Sequence, residues 1–349
     1  MQAAITIGGN EIKAGTRQSI HLPLPQFYNY SPTSMIVHVF HGRNPGPCVL
    51  VSSALHGDEI NGVEIIRRVL GHKSIDRIKG TLILIPVINV FGFVSQSRYL
   101  PDRRDLNRSF PGSPKGSMAA RLAHVLMSEV LPRCTHVIDL HTGAVARENF
   151  PQVRATLNGN RELEEIAKAF NAPVVLDSPL RAGTFRKAAH DLGIPSIVYE
   201  AGEALRFDEV SIRAGVVGIL NILSHLGMIR KRTRRKEHQP LIAKSSQWVR
   251  ATQSGIARSI VALGAKVSVG DELAYISDPS GGHEEIVKSS VAGIVIGRTR
   301  LPLVHEGEAI FHIARFSRPT AVAESIENFQ DAFDPLTDTI ESDEPPVVS

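Results

Sequence analysis

Residues 48–70 read CVLVSSALHGDEINGVEIIRRVL, and this stretch decides the fold. Its first seven residues, 48–54, are a short apolar, β-branched run of the kind that forms a buried strand. From residue 60 the period changes. Ile60, Val63, Ile66, Val69 and Leu70 recur at three- and four-residue intervals, which places them on one face of a helix. A buried strand running straight into an amphipathic helix is the unit of an α/β layer protein. The polar segment His56-Gly57-Asp58-Glu59 sits at the junction.

The alternation continues outward. Runs at 36–40 (IVHVF), 81–89 (TLILIPVIN), 136–140 (HVIDL), 173–177 (PVVLD) and 196–199 (SIVY) predict further strands, and stripes over Met118–Leu131, Arg161–Phe170 and Glu209–Leu226 predict helices. The expected architecture over residues 1–235 is α/β: a mixed, largely parallel sheet flanked by helices, preceded by an N-terminal extension. From about residue 250 to 315 short β-type runs are broken by glycines and no helical stripe is present. Residues 245–316 are therefore expected to form a small C-terminal all-β barrel or sandwich, with two loosely similar halves (SGIARS and AGIVIG) suggesting paired β-units. Residues 317–349 are acidic and end in PPVVS, the composition of a disordered tail.

With 349 residues, 42% hydrophobic and 21% charged, the chain can bury a sizeable core. The formal charge of +4 is uneven: RKRTRRK at 230–236 is a dense basic run. It is short and lacks interleaved aromatics, so it reads as a solvated linker rather than a nucleic-acid site. No apolar run reaches the roughly 18 residues of a membrane span, and the N-terminus has no basic region followed by an apolar one; a cytoplasmic protein is expected. Cys48 and Cys134 form no CxxC and are expected to be buried thiols. Nothing in the residues decides between a monomer and a homo-oligomer.

Four polar clusters carry the chemistry, and each lies just downstream of an apolar run. His56 and Glu59, three residues apart at a strand exit, can close on one metal ion, and His141 in Asp139-Leu140-His141-Thr142 offers a third ligand. Zinc takes such nitrogen and oxygen donors and leaves a position for water. In Asp105-Leu106-Asn107-Arg108, the paired Asn107 and Arg108 suit a substrate carboxylate, because guanidinium is a planar fork. Arg98, further upstream, suits the polarising of a scissile carbonyl, although as a surface loop these arginines would simply pair with Asp102 and Asp105. Glu200, in Tyr199-Glu200-Ala201-Gly202-Glu203, suits a general base. Either HxxE or a lone histidine is a weak signal; the common position at strand exits, where open α/β sheets bind ligands, is the stronger one.

These segments, HGDE, DLNRSFPG, DLHT and YEAGE in that order, resemble the succinylglutamate desuccinylase/aspartoacylase family of the zinc carboxypeptidase-like superfamily. The resemblance covers roughly residues 35–225, and residues 245–315 resemble the C-terminal domain of those enzymes. It implies one zinc ion per chain on His56, Glu59 and His141, Glu200 as general base, Asn107 and Arg108 holding the substrate carboxylate, and Arg98 stabilising the oxyanion. The stretch from Arg98 to Asp105 is longer than the family pattern and contains Arg103 and Arg104, so the polarising arginine is one of three. The implied activity is zinc-dependent hydrolysis of the amide bond of small N-acylated amino acids. The alternatives are a metallocarboxypeptidase acting on peptides and a non-catalytic binding protein on the same fold. The C-terminal texture also resembles biotinyl and lipoyl carrier domains. Lys288 is its one candidate acceptor and lacks flanking methionines, which favours a structural or pocket-capping role.

Overall fold

The computed structural model describes residues 2–230, 240–316 and 319–333. A hairpin of β1 (Ile5–Ile7) and β2 (Asn10–Ile12) precedes β3 (Thr16–Leu24) and β4 (Thr33–His41). There follow β5 (Cys48–Ser53), α1 (Asn61–Leu70), β6 (Thr81–Ile85), the short α2 (Val90–Val94), α3 (Met118–Val125), β7 (His136–Gly143), β8 (Arg147–Ala155) and α4 (Arg161–Phe170). The chain continues through β9 (Val174–Asp177), α5 (Phe185–Asp191), β10 (Ser196–Glu203) and α6 (Glu209–His225). The C-terminal part holds β11 (Leu241–Ala243), β12 (Ser245–Arg250), β13 (Gly255–Ser259), β14 (Lys266–Val267), β15 (Glu272–Ser277), β16 (Glu284–Lys288), β17 (Gly293–Thr299), β18 (Leu303–Val304), β19 (Ala309–Arg315) and α7 (Pro319–Phe333).

Among the described residues, thirteen strands share one sheet, whose main path is β12-β19-β17-β8-β10-β7-β5-β6-β4-β3. The most buried runs sit at its centre, where β10, β7, β5 and β6 run parallel. Toward both ends the pairing turns antiparallel: β4 on β6 and β3 on β4 on one side, β8 on β10 and β17 on β8 on the other. The sheet is mixed, with its parallel character confined mainly to the middle and to the β8-β9-β11 branch. One face packs on α1, α4 and α6 through Ile65, Ile66, Phe170, Tyr199 and Ile219; the other packs on α2, α3 and α5 through Phe91, Leu122, Phe185 and Leu50.

Several expectations change in detail for local reasons. The strand expected over 81–89 ends at Ile85, because Pro86 cannot donate to a ladder. The helix expected over 118–131 is α-helical only to Val125, then widens into a π-turn at Leu126–Val130 and tightens at Leu131–Arg133, around Pro132. The N-terminal extension is a structured edge: Ile20, Leu22 and Leu24 alternate inward along β3. The C-terminal strands do not stand apart. β13, β15, β16 and β18 make a four-stranded antiparallel sheet, but β12, β17 and β19 continue the main sheet through the β17·β8 pairing. Lys288 ends β16 opposite Glu272, away from any hairpin tip. Cys48 and Cys134 are both buried and free, as expected. Most of the basic run, residues 231–236, lies outside the described residues. No helix among the described residues is long and apolar enough to cross a membrane.

Part of the expected disordered tail is helical. Residues 319–333 form α7, and Ile326, Phe329 and Phe333 are buried against Phe150 of β8 and Ala214 of α6. Acidic composition concealed this apolar stripe; residues 334–349 lie outside the described residues. Phe329 is fully buried, with ring centroids 6.0 Å from Phe150 and 4.9 Å from Phe333. Phe329→Ala is therefore expected to cost about 3 kcal/mol in chemical denaturation. A variant with an unchanged midpoint would show that α7 is not part of the core.

Candidate metal centre and active site

The site is assembled where β5, β7 and β10 end. β5 exits through Ala54, a buried residue held at a positive φ of 48°, a costly conformation for a residue with a Cβ and one that persists where neighbours enforce it. They do: the carbonyls of Ser53 and Ala54 accept from the amides of Ile88 and Asn89 at 3.1 and 2.9 Å. The turn delivers His56 and Glu59 over the sheet edge. Gly57 allows it, since a Cβ there would lie 1.9 Å from a backbone carbon of Gly92.

Glu59 is 2% exposed. Its Oε1 lies 2.7 Å from His56 Nδ1 and its Oε2 lies 2.8 Å from His141 Nδ1, while the Thr142 amide donates to Oε2 at 3.2 Å. Each imidazole turns its other nitrogen to a second carboxylate: His56 Nε2 lies 3.2 Å from Asp105 Oδ1, and His141 Nε2 lies 2.7 Å from Asp139 Oδ2. Asp139 is fixed in turn by the Ser52 hydroxyl at 2.7 Å. Burial alone would push the Glu59 carboxyl up, but the two imidazoles outweigh it and hold it well below the usual range. Burial alone would push His141 down, but Asp139 and Glu59 hold it well above the usual imidazole range.

These donors fit a divalent cation. His56, Glu59 and His141 each offer one ligand atom, all within 4.8 Å of one another, and they are the one such group among the described residues. Two nitrogens and one oxygen are a zinc donor set. The outward carboxylates Asp105 and Asp139 orient the imidazoles as the supporting partners of metal-bound histidines do.

Arg98 also reaches Glu59. Asn89, fully buried, accepts from the Gly92 amide and donates to the Arg98 carbonyl, which pins the loop that carries Arg98. Arg98 Nη1 lies 3.3 Å from Glu59 Oε1, and its Nε and Nη2 donate to Asp105 Oδ2 at 3.2 and 3.0 Å. Arg103 and Arg104 are exposed, with Arg104 4.0 Å from Asp102; of the three candidate arginines, Arg98 is the one in the site. Asn107 lies at the same turn, but its Oδ1 accepts from the Phe185 amide at 3.0 Å, at the start of α5. Arg108 is exposed, with Nη1 donating to the Asn107 carbonyl.

Glu200 is registered opposite His141 on the neighbouring strand, and so stands on the same face of the sheet. Asn149 Nδ2 donates to its Oε2 at 2.9 Å, and Arg154 Nη1 lies 3.4 Å from its Oε1. Sequence reasoning missed Asn149 and Arg154 with all of β8, whose residues RENFPQVRA have no apolar alternation. Asp139, which the sequence leaves without a role, and Asp105, which it offers only as a partner for arginines, hold the outer imidazole nitrogens. On the same face, His312 of β19 stacks on Trp248 of β12, with ring centroids 4.4 Å apart. Burial first, and then the charge of Arg154, hold His312 down at about 3.

Residues 45–226 match the succinylglutamate desuccinylase/aspartoacylase catalytic domain. An N-alpha-acetyl-L-2,4-diaminobutyric acid deacetylase of Halomonas elongata is 27% identical over 284 residues, which cover 78% of this chain and 83% of that protein. A succinylglutamate desuccinylase/aspartoacylase structure from Rhodobacter sphaeroides superposes with TM-score 0.78 at 25% identity, covering 86% of this chain and 96% of the other. The product-bound ectoine utilization protein EutE (DoeB) of Ruegeria pomeroyi gives 0.76 at 26% identity, covering 84% and 94%.

Two outcomes follow from this geometry. Gly57→Ala forces the ligand loop away from Gly92, so it is expected to lower stability by about 1–3 kcal/mol and to reduce the metal retained after purification, read by elemental analysis; full retention would contradict the packing argument. His312, neutral in the folded chain, takes up a proton on unfolding at any pH between its ordinary 6.5 and about 3, so it makes stability fall as pH drops through that window. His312→Asn is expected to lose less stability than the wild type between pH 7 and pH 4 in thermal denaturation. An equal or steeper loss would contradict the assignment.

Proposed function

The chain belongs to the succinylglutamate desuccinylase/aspartoacylase family, and from that premise we propose that it is a zinc-dependent hydrolase cleaving the amide bond of small N-acylated amino acids. The fold is then of the zinc-carboxypeptidase-like class. The observation that carries the reading is the arrangement around Glu59: a buried carboxylate between two Nδ1 atoms, each imidazole backed by its own carboxylate.

In this reading His56, Glu59 and His141 would hold the zinc ion. Bound zinc supplies a Lewis acid that polarises a carbonyl and makes water more acidic. Glu200, one strand from His141, takes the proton of the attacking water and delivers it to the departing amine. Arg98 lies beside Glu59 and is held there by Asp105, so its guanidinium can donate to the oxygen on which negative charge develops. Such a preorganised donor is typically worth about 3 kcal/mol. Arg108, exposed and next to Asn107 in the chain, receives the substrate carboxylate in this reading. The similarity to a diaminobutyrate deacetylase supports an acetylated amine as one member of the substrate class, and the family's name supports succinyl and aspartyl compounds equally.

The test is a deacylation screen of N-acetyl and N-succinyl amino acids beside a peptide panel, with zinc measured in the same preparation. Expected are release of free amine from the small amides, loss of activity on chelation and recovery with zinc. Glu200→Gln is expected to keep zinc and lose at least about 100-fold in kcat. Cleavage of the peptides alone would identify a metallocarboxypeptidase. A zinc-free protein that binds without turnover would identify a binding protein, and near-wild-type turnover by Glu200→Gln would remove the general-base role.

A further inference from the structure

Both oxygens of the Glu200 carboxylate are met from β8: Asn149 Nδ2 at Oε2 and Arg154 Nη1 at Oε1. Arg154 is itself restrained, because its Nε donates to Gln152 Oε1 at 3.4 Å. Gln152 is fully buried, and its Nε2 donates to the Ile296 carbonyl of β17 at 3.1 Å and to the Phe150 carbonyl at 3.3 Å. Ile296, Gln152, Arg154 and Glu200 thus form an unbroken run of polar contacts from the C-terminal strands to the proposed base.

Register explains why these groups meet. Arg154 lies opposite Val198 and Gln152 opposite Glu200, so all three polar side chains emerge on one face of the sheet. Between Gln152 and Asn149 the pairing with β10 slips by one residue, which returns Asn149 to that face as well. Next to Asn149, β17 carries Gly297, where a Cβ would stand 3.0 Å from Asn149 Oδ1. A buried amide costs free energy unless it is fully bonded, and an apolar side chain would fill this position at lower cost. Gln152 is bonded at both ends. The charge of Arg154 also reaches the C-terminal strands, where it adds to burial in holding His312 low.

We propose that Gln152 and Arg154 are positioning residues for Glu200, and that the C-terminal β strands act on the reaction by fixing the orientation of the base through them. The inference rests on the reading of Glu200 as general base. It gives the C-terminal strands a role in the chemical step, separate from any capping of the pocket. Gln152 acts only through Arg154, so the two contributions are coupled.

A double-mutant cycle tests this in the full-length zinc-loaded protein, using whichever N-acyl amino acid the wild type hydrolyses. Arg154→Met is expected to lower kcat by about 10–100-fold, the usual cost of removing a supporting contact, with KM within about twofold of wild type and zinc content unchanged. Gln152→Leu lowers kcat less, and the double variant is no worse than Arg154→Met alone. Multiplying effects would overturn the relay, and a rise in KM with kcat intact would make Arg154 a substrate contact instead. Crystal structures of both single variants give a readout independent of turnover: Glu200 should change orientation in each, and an unmoved carboxylate would refute the proposal. If the wild type hydrolyses no amide, the proposed function fails while these structures still decide the relay. If Gln152→Leu does not fold, Arg154→Met, altered at a partly exposed side chain, carries both readouts.

Discussion

A buried carboxylate is the constraint on which the rest depends. Glu59 is 2% exposed, and an ionised group removed from water is tolerated only when it is paired and hydrogen-bonded. Its partners come from three separated parts of the chain: His56 from the turn after β5, Arg98 from the loop after α2, and His141 with the Thr142 amide from β7. Satisfying one carboxylate therefore fixes the relative placement of three segments. Ala54 at positive φ and Gly57 pressed against Gly92 are the local concessions that make this possible.

The same network gives the site its chemical character. Two imidazoles converge on one carboxylate while their outer nitrogens are held by Asp105 and Asp139. That geometry concentrates negative charge around paired nitrogens, an environment that favours a divalent cation over a neutral ligand. Glu200 stands one strand away, and its support reaches across β8 into strands more than ninety residues further along the chain. In the proposed relay the continuous sheet is functional as well as architectural, carrying position from β17 to the Glu200 carboxylate on β10.

Much of this was legible in the sequence, and the exceptions have physical causes. The central strands and the helices α1, α4 and α6 were readable, because their apolar residues follow one period and are buried accordingly. His56, Glu59 and His141 were readable as a group because they lie in the turn just after one such strand and near the end of another. β8 was not, because it serves two faces at once: Phe150 and Val153 pack inward, while Asn149, Gln152 and Arg154 stay polar for the site, and Pro151 breaks the alternation. The partnership of Asp105 with His56, and not only with Arg98, needs coordinates, since nothing in spacing joins residues 49 positions apart. α7 was hidden for the opposite reason, as acidic residues masked a stripe of Ile326, Phe329 and Phe333.

We propose that His56, Glu59 and His141 together would hold one zinc ion per chain. Anomalous diffraction recorded on either side of the zinc absorption edge tests it most directly. The account predicts one peak per chain, within coordination distance of those three side chains, that disappears below the edge. Absence of a peak in crystals grown with zinc, or a peak held by other residues, would contradict it.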